Sequence, residues 1–218
     1  MRQPLARHRT AAVRERPAAS KIGLSLTVAV LCAAASVWAA DEITVYELLA
    51  PATHSFDIIY DVTASREGSP FFFNPIRPGS VASKERVVDR ATGKPLEFEV
   101  VDGKTAKASG LVSSRTADDA QFLRVKLARP VPKGAETRIR IYKTYTDPPS
   151  YYEKDDGFVF DRPLGIKRNV VVLPKGYELV GSASPGIVST GTDGRIRVSF
   201  LNDRNDQLPV RIVGRKLP

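Results

Sequence analysis

Short runs in which every second residue is apolar, set between glycine and proline turns, constrain this chain more than any other feature. A two-residue period puts the apolar side chains on one face of a β-strand. Phe56, Ile58, Tyr60 and Val62 alternate with Asp57 and Asp61. Leu96, Phe98 and Val100 alternate with Glu97 and Glu99, and Leu123, Val125 and Leu127 with Arg124 and Lys126. Ile139 and Ile141 alternate with Arg138, Arg140 and Tyr142, and Ile196, Val198 and Phe200 with Arg195, Arg197 and Ser199. The run 43–48 opens the series, the unbroken Val170, Val171, Val172 and Leu173 read as a central strand, and Val210 and Ile212 close it. Asp193-Gly194 is the strongest hairpin turn, with Asp102-Gly103 and Asp156-Gly157 similar, and Pro132-Lys133-Gly134 and Pro174-Lys175-Gly176 are two more turns. No segment after residue 41 has helical periodicity. The polar stretch 102–119 reads as the least ordered piece, and 146–156 as a second long loop. About eight strands with turns at this spacing predict an all-β fold, a two-sheet antiparallel β-sandwich formed by residues 40–218 as a single domain.

The segment before that domain reads as a signal peptide helix over residues 1–39. Its basic part, 1–21, carries Arg2, Arg7, Arg9, Arg14, Arg16 and Lys21 against Glu15, and its apolar part, 22–39, has no charge. Ala39 follows Val37-Trp38, which suits cleavage after Ala39 or next after Ala40. The competing reading is an uncleaved anchor, since roughly 20 apolar residues can span a bilayer. Cys32 follows Leu31 deep inside the apolar run, which does not suit lipid attachment, and no twin-arginine signal is present. Either way the expected location is outside the cytoplasm, periplasmic or secreted, in a bacterium, with membrane contact only if the segment is kept.

Charge and cysteine usage then exclude several functions. Of 33 basic and 24 acidic residues, 6 and 1 lie in positions 1–39, which leaves 27 and 23, a net of +4, for the rest. That balance is ordinary solubility and not a nucleic-acid footprint. Cys32 is the one cysteine, so residues 40–218 hold no disulfide although an oxidising compartment would permit one. A cysteine hydrolase, a thiol redox protein and a cysteine-ligated metal site are excluded with it.

Two stretches carry a family resemblance. Residues 127–145 (LARPVPKGAETRIRIYKTY) run from a strand through a Pro-Lys-Gly turn into alternating isoleucines that end in tyrosine. This resembles a hairpin of the N-terminal β-sandwich domain of zinc aminopeptidases. Residues 158–177 (FVFDRPLGIKRNVVVLPKGY) are similar to segments of uncharacterised exported bacterial β-sandwich proteins, some of which accompany such peptidases. The resemblance implies a fold and an accessory role. It carries over no catalytic residue, because the zinc-binding His-Glu-x-x-His helix is missing and His54 is the one histidine after position 39.

The search for chemistry gives no catalytic residue and no cofactor. His54 lies beside Ser55 and Asp57, but sequence neighbours do not supply the geometry of a nucleophile, base and orienting acid. Glu153, Asp155, Asp156 and Asp161 are the weak candidates for calcium, which takes several oxygens, or for a glycosidase acid pair. The candidate ligand- or partner-binding residues are aromatic. Tyr142, Tyr145, Tyr151 and Tyr152 flank Asp147-Pro148-Pro149 in an aromatic loop at 142–152, where flat rings with polar tips suit sugars or peptides. The competing reading makes them core and strand-end residues. Phe71, Phe72 and Phe73 are consecutive, so they cannot all point inward from one strand. Arg162, Lys167 and Arg168 surround Pro163-Leu164-Gly165 and suit an anionic partner, or else a solvated face.

These features lead to an expected exported, non-enzymatic β-sandwich that serves as a protein-interaction or accessory module in the cell envelope. Its expected partner is an envelope or secreted protein, or a glycan, and not nucleic acid. The alternatives are a carbohydrate-binding module using the loop at 142–152 and an unrecognised hydrolase.

Overall fold

The structure is a computed structural model that describes residues 42–218. The expected signal peptide lies outside the described residues. Among those described, the alternating runs become strands as expected, but within a set of fourteen where about eight were expected: β1 Ile43–Leu48, β2 Ser55–Ala64, β3 Phe71–Pro75, β4 Val81–Asp89, β5 Phe98–Asp102, β6 Gln121–Lys126, β7 Thr137–Thr146, β8 Tyr151–Lys154, β9 Gly157–Leu164, β10 Arg168–Val172, β11 Tyr177–Ser182, β12 Ile187–Thr190, β13 Ile196–Leu201 and β14 Leu208–Lys216. A helix, α1 Gly103–Ala108, lies between β5 and β6. The chain is all-β in class.

Hydrogen bonding groups the strands into three sheets. Seven strands run in the order β12-β13-β10-β1-β2-β7-β4, four in the order β11-β14-β9-β8, and three in the order β3-β6-β5. The named pairs are antiparallel except β1 with β10. Register shows which face of the large sheet is covered. Tyr46 stands opposite Ile58, and Ile58 opposite Lys143, so these three side chains share one face with Phe56 and Tyr145. On that face Phe56 meets Phe160 of β9 edge to face at 5.5 Å, and Lys143 meets Asn74 of β3. Both smaller sheets therefore lie on the same side of the large one. The result is a sandwich whose second layer is divided in two, with one core cluster drawing on all three sheets.

Aromatic rings fill the centre of that cluster. Phe56 touches Tyr46, Tyr145, Tyr151 and Phe160 at ring separations of 5.5–6.4 Å, mostly in the edge-on arrangements that ring quadrupoles favour. Gly214 of β14 makes room for the Phe158 ring, which lies across it from β9. A β-carbon there would lie 2.2 Å from a ring carbon of Phe158, so only glycine fits.

Three local expectations are corrected. The stretch 102–119 is not a featureless loop: Asp102 caps α1, its carboxylate accepting from the Thr105 N–H at 2.7 Å. Six residues are too few to show a helical period, so the alternation test could not detect it. The loop at 146–156 contains β8, whose edge position hides any burial rhythm. Phe98 and Val100 alternate correctly but do not reach the core, because β5 overhangs it at the end of its sheet and leaves them 38% and 53% exposed.

The neighbours Tyr151 and Tyr152 give a test of this packing. Tyr151 is fully buried and Tyr152 is half-buried on the opposite face of β8. Tyr151→Ala is expected to cost about 3–5 kcal/mol, as for other large aromatic truncations in cores. Tyr152→Ala is expected to cost less than about 1 kcal/mol. Urea unfolding of the two single variants measures both, and equal losses would contradict the packing.

Candidate functional site

The residues expected to form an aromatic grip are dispersed. Tyr145 and Tyr151 are core residues: the Tyr145 hydroxyl accepts from the Arg77 N–H at 3.4 Å, and the Tyr151 hydroxyl donates to the Leu49 carbonyl at 2.6 Å. Tyr142 is on the other face of β7, with the Arg86 guanidinium 3.7 Å from its ring centroid and Arg140 beyond it at 5.9 Å. Those two cations hold the Tyr142 phenol below its usual range, Arg140 chiefly. No exposed aromatic surface joins the four tyrosines. Phe72 packs on the core, whereas Phe71 and Phe73 share the opposite face of β3, Phe71 beneath Arg124 and Phe73 edge-on to Phe122.

The polar candidates do not converge either. Glu153, Asp155 and Asp156 are exposed around the β8–β9 turn, and Asp161 is paired with Arg211. Among the described residues no group of three or more His, Cys, Asp or Glu could hold a metal ion. His54 ends a short 3-10 turn at φ 51°, and its Nδ1 lies 3.1 Å from the Tyr151 carbonyl, within reach to donate. The Ser55 hydroxyl donates to the Thr53 carbonyl, and Asp57 accepts from the Thr144 hydroxyl. These neighbours thus have separate partners and form no relay. Lys167 donates to the Arg204 carbonyl, and Arg168 begins β10. Arg162 departs from its group, because it is buried.

Arg162 belongs to a polar knot inside the apolar core. Along β9, Phe158, Phe160, Arg162 and Leu164 all point inward, and along β7 so do Ile139, Ile141, Lys143 and Tyr145. Lys143 donates to the Asn74 side-chain oxygen at 2.7 Å, and its ammonium lies 4.8 Å from the Tyr145 ring centroid. Arg162 pairs with the buried Asp147, which also accepts from the Ser80 hydroxyl at 3.1 Å. The guanidinium rests between the Phe56 and Tyr145 rings, at 5.3 and 5.4 Å. Each sheet contributes polar residues at core positions: Lys143 and Thr44 from the large one, Arg162 from the second and Asn74 from the third. They line a cavity of about 190 Å³, together with Arg77, Tyr46, Ile58 and Ile166.

The charges in this cavity are unequal. Burial holds Lys143 well below its usual range, at about 8, the Arg162 charge lowers it further, and Glu85 opposes both. No carboxylate lies within ion-pair distance of Lys143 or Arg77 among the described residues, whereas Arg162 has Asp147. Burial also lowers Arg162, yet a guanidinium keeps its proton at any ordinary pH.

A second feature lies at the end of the large sheet. Strand β12 is bonded to β13 on one side and open on the other. Its four residues are all exposed, Ile187 by 75% and Val188 by 54%, and Leu201 nearby is 71% exposed. Gly191 N–H donates to the Arg195 carbonyl, which fixes the ladder phase. Ser189 and Ile187 therefore bond to β13, while the amide and carbonyl groups of Val188 and Thr190 point to the open edge.

Lys143 supplies a test of the buried knot. Between about 8 in the folded state and about 10.4 in the unfolded chain, the unfolded state binds one more proton, so stability rises with pH. Below that window the ammonium is buried at full cost. Above about pH 10 the slope reverses, because burial raises the phenols of Tyr60 and Tyr151 and the unfolded tyrosines ionise first. Wild type is expected to gain about 2 kcal/mol over Lys143→Met between about pH 7.5 and 9.5. Urea midpoints across that range measure it, and parallel curves would contradict it.

No protein-family profile and no curated protein matches this chain. Among solved structures, it is similar to an M1 zinc metallopeptidase from Deinococcus radiodurans, at 13% identity and a TM-score of 0.47 over 79% of this chain and 41% of that one. An aminopeptidase N family protein from Idiomarina loihiensis matches at 8% identity and a TM-score of 0.45, over 80% and 29% of the two chains. A protein described as a protease from Parabacteroides distasonis matches at 13% and 0.36, over 79% and 39%. The chain thus spans about two fifths or less of the length of these proteins.

Proposed function

We propose that this chain is an exported, non-enzymatic β-sandwich module that engages an envelope protein by accepting an extended segment of that partner at the open edge of β12. One observation carries the reading: β12 is an exposed edge strand with no charge, proline or bulge of its own. An exposed edge invites another strand, and proteins blunt such edges with charge, proline or a bulge. Among the described strands, β4 carries a bulge with Lys84 and Glu85, β3 ends in Pro75, β5 and β8 carry acidic residues, and β11 has Glu178 and a bulge. Strand β12 reads Ile-Val-Ser-Thr and has only its short length as a safeguard. An added strand would bond to Val188 and Thr190 and cover apolar surface at Val188, the general manner of recognition by β-augmentation.

The basic segment 1–21 followed by the apolar 22–39 supports export. Burial of Tyr145 and Tyr151 counts against the carbohydrate-binding alternative, and the separate partners of His54, Ser55 and Asp57 against a serine-type hydrolase.

Val188→Pro tests the proposal, because it removes an outward amide and breaks no bond to β13. The C-terminally tagged full chain and its variants are used to capture partners from envelope extract, with Val180→Lys as a control at another exposed apolar position. Wild type and the control are expected to retain a common partner that Val188→Pro loses, with folding stability changed by less than about 1 kcal/mol. That partner should slow amide exchange at Val188 and Thr190. Retention by Val188→Pro, or unchanged exchange at those amides, would overturn the proposal.

A further inference from the structure

Strand addition at β12 makes no use of the buried cations. We propose that the cavity walled by Lys143, Asn74, Arg77, Tyr145 and Arg162 is a binding site for a small carboxylate with an apolar body, its charged end received by the Lys143 ammonium.

Three observations lead there. The first is position. Lys143 and Arg162 occupy strand positions that parity assigns to the core, and Asn74 shares the inward face of β3 with Phe72. Apolar residues at such places commonly stabilise a fold as well as or better than ionic ones, so stability alone gives little reason for a lysine there. The second is charge. Asp147 neutralises Arg162, but Lys143 has a neutral amide partner and half-buried Arg77 has only the Pro163 carbonyl at 3.5 Å. Two cationic groups thus face the cavity with no carboxylate in ion-pair contact, the Glu85 charge reaching Lys143 only from farther off, and an ammonium out of water is costly until an anion meets it. The third is shape. At about 190 Å³ the cavity exceeds the room that one or two waters take, about 30 Å³ each in the liquid. Its remaining wall includes Ile58, Ile166 and the Tyr46 ring, which suit an apolar body and not a bare oxyanion. The ammonium has three donors and spends one on Asn74, so it can donate to a carboxylate without breaking the existing bond.

Benzoate is the probe, with benzamide as its neutral isostere and inorganic phosphate as a bare oxyanion, each titrated calorimetrically into the full chain near pH 7. The methylene signal of Lys143 is followed by NMR in parallel. Benzoate is expected to bind and to shift that signal, and benzamide to bind at least about tenfold more weakly, the scale of one charged hydrogen bond. Lys143→Met should weaken benzoate by at least about tenfold, and Arg77→Gln, at a half-buried site away from the apolar centre, severalfold. Val188→Pro should leave benzoate binding unchanged, which separates this site from the edge strand. Equal binding of benzamide and benzoate would overturn the proposal, as would tighter binding of phosphate or no shift at Lys143 with any probe. If Lys143→Met does not fold, Arg77→Gln and the benzamide comparison still decide the matter.

Discussion

The hydrogen bond from the Lys143 ammonium to the Asn74 side chain, 2.7 Å long, joins β7 to β3, and the neighbouring Arg162–Asp147 pair brings β9 to the same point. The divided second layer depends on this meeting. Apolar packing alone would press two small sheets against a large one without fixing how they slide, because hydrophobic contact is non-directional. A buried donor and acceptor that must find each other admit few arrangements. The cost is a charge held in the interior, which shows in the depressed Lys143 ammonium and in the lowered Arg162 guanidinium. The aromatic cluster around Phe56 offsets part of it, since the faces of Phe56 and Tyr145 attract the Arg162 guanidinium, and the Tyr145 ring the ammonium.

Much of the fold was legible because strand alternation is a local signal. Phe56 to Val62, Leu123 to Leu127 and Ile196 to Phe200 lie in the strands expected of them, and Asp193-Gly194 does turn β12 into β13. The knot could have been found by carrying the same parity further. Ile139 and Ile141 place Lys143 inward two residues later, and Phe158 and Phe160 do the same for Arg162. What the chain does not advertise is that these positions meet, because that requires the long-range registers of β2 with β7 and of β3 with β6. The aromatic candidates misled for a related reason. Tyr142, Tyr145, Tyr151 and Tyr152 are close in sequence, but the β-period sends Tyr142 and Tyr145 to opposite faces of β7, and Tyr151 and Tyr152 to opposite faces of β8. Nearness along a strand is separation across it.

The interior and the edge present different chemistry. At β12 the backbone is left unpaired beside apolar side chains, the arrangement that suits another extended chain. In the cavity, Lys143 and Arg77 face apolar walls with no carboxylate in ion-pair contact, which suits a small amphiphilic anion. The two lie on separate parts of the large sheet, with β13, β10 and β1 between β12 and β2. A partner at the edge and a ligand in the cavity would therefore not compete for the same groups.

Lys143 is a buried ammonium without a carboxylate in ion-pair contact, and its titration tests this most directly. Carbon-13 NMR of the lysine side chains in the full chain, with Lys143→Met to assign the signal, follows the proton as pH rises. The expected midpoint is near 8 for Lys143, with the exposed lysines near the usual value of about 10.4. A Lys143 midpoint at that ordinary value would mean that water or a carboxylate reaches the ammonium, and that the buried, carboxylate-free ammonium does not exist.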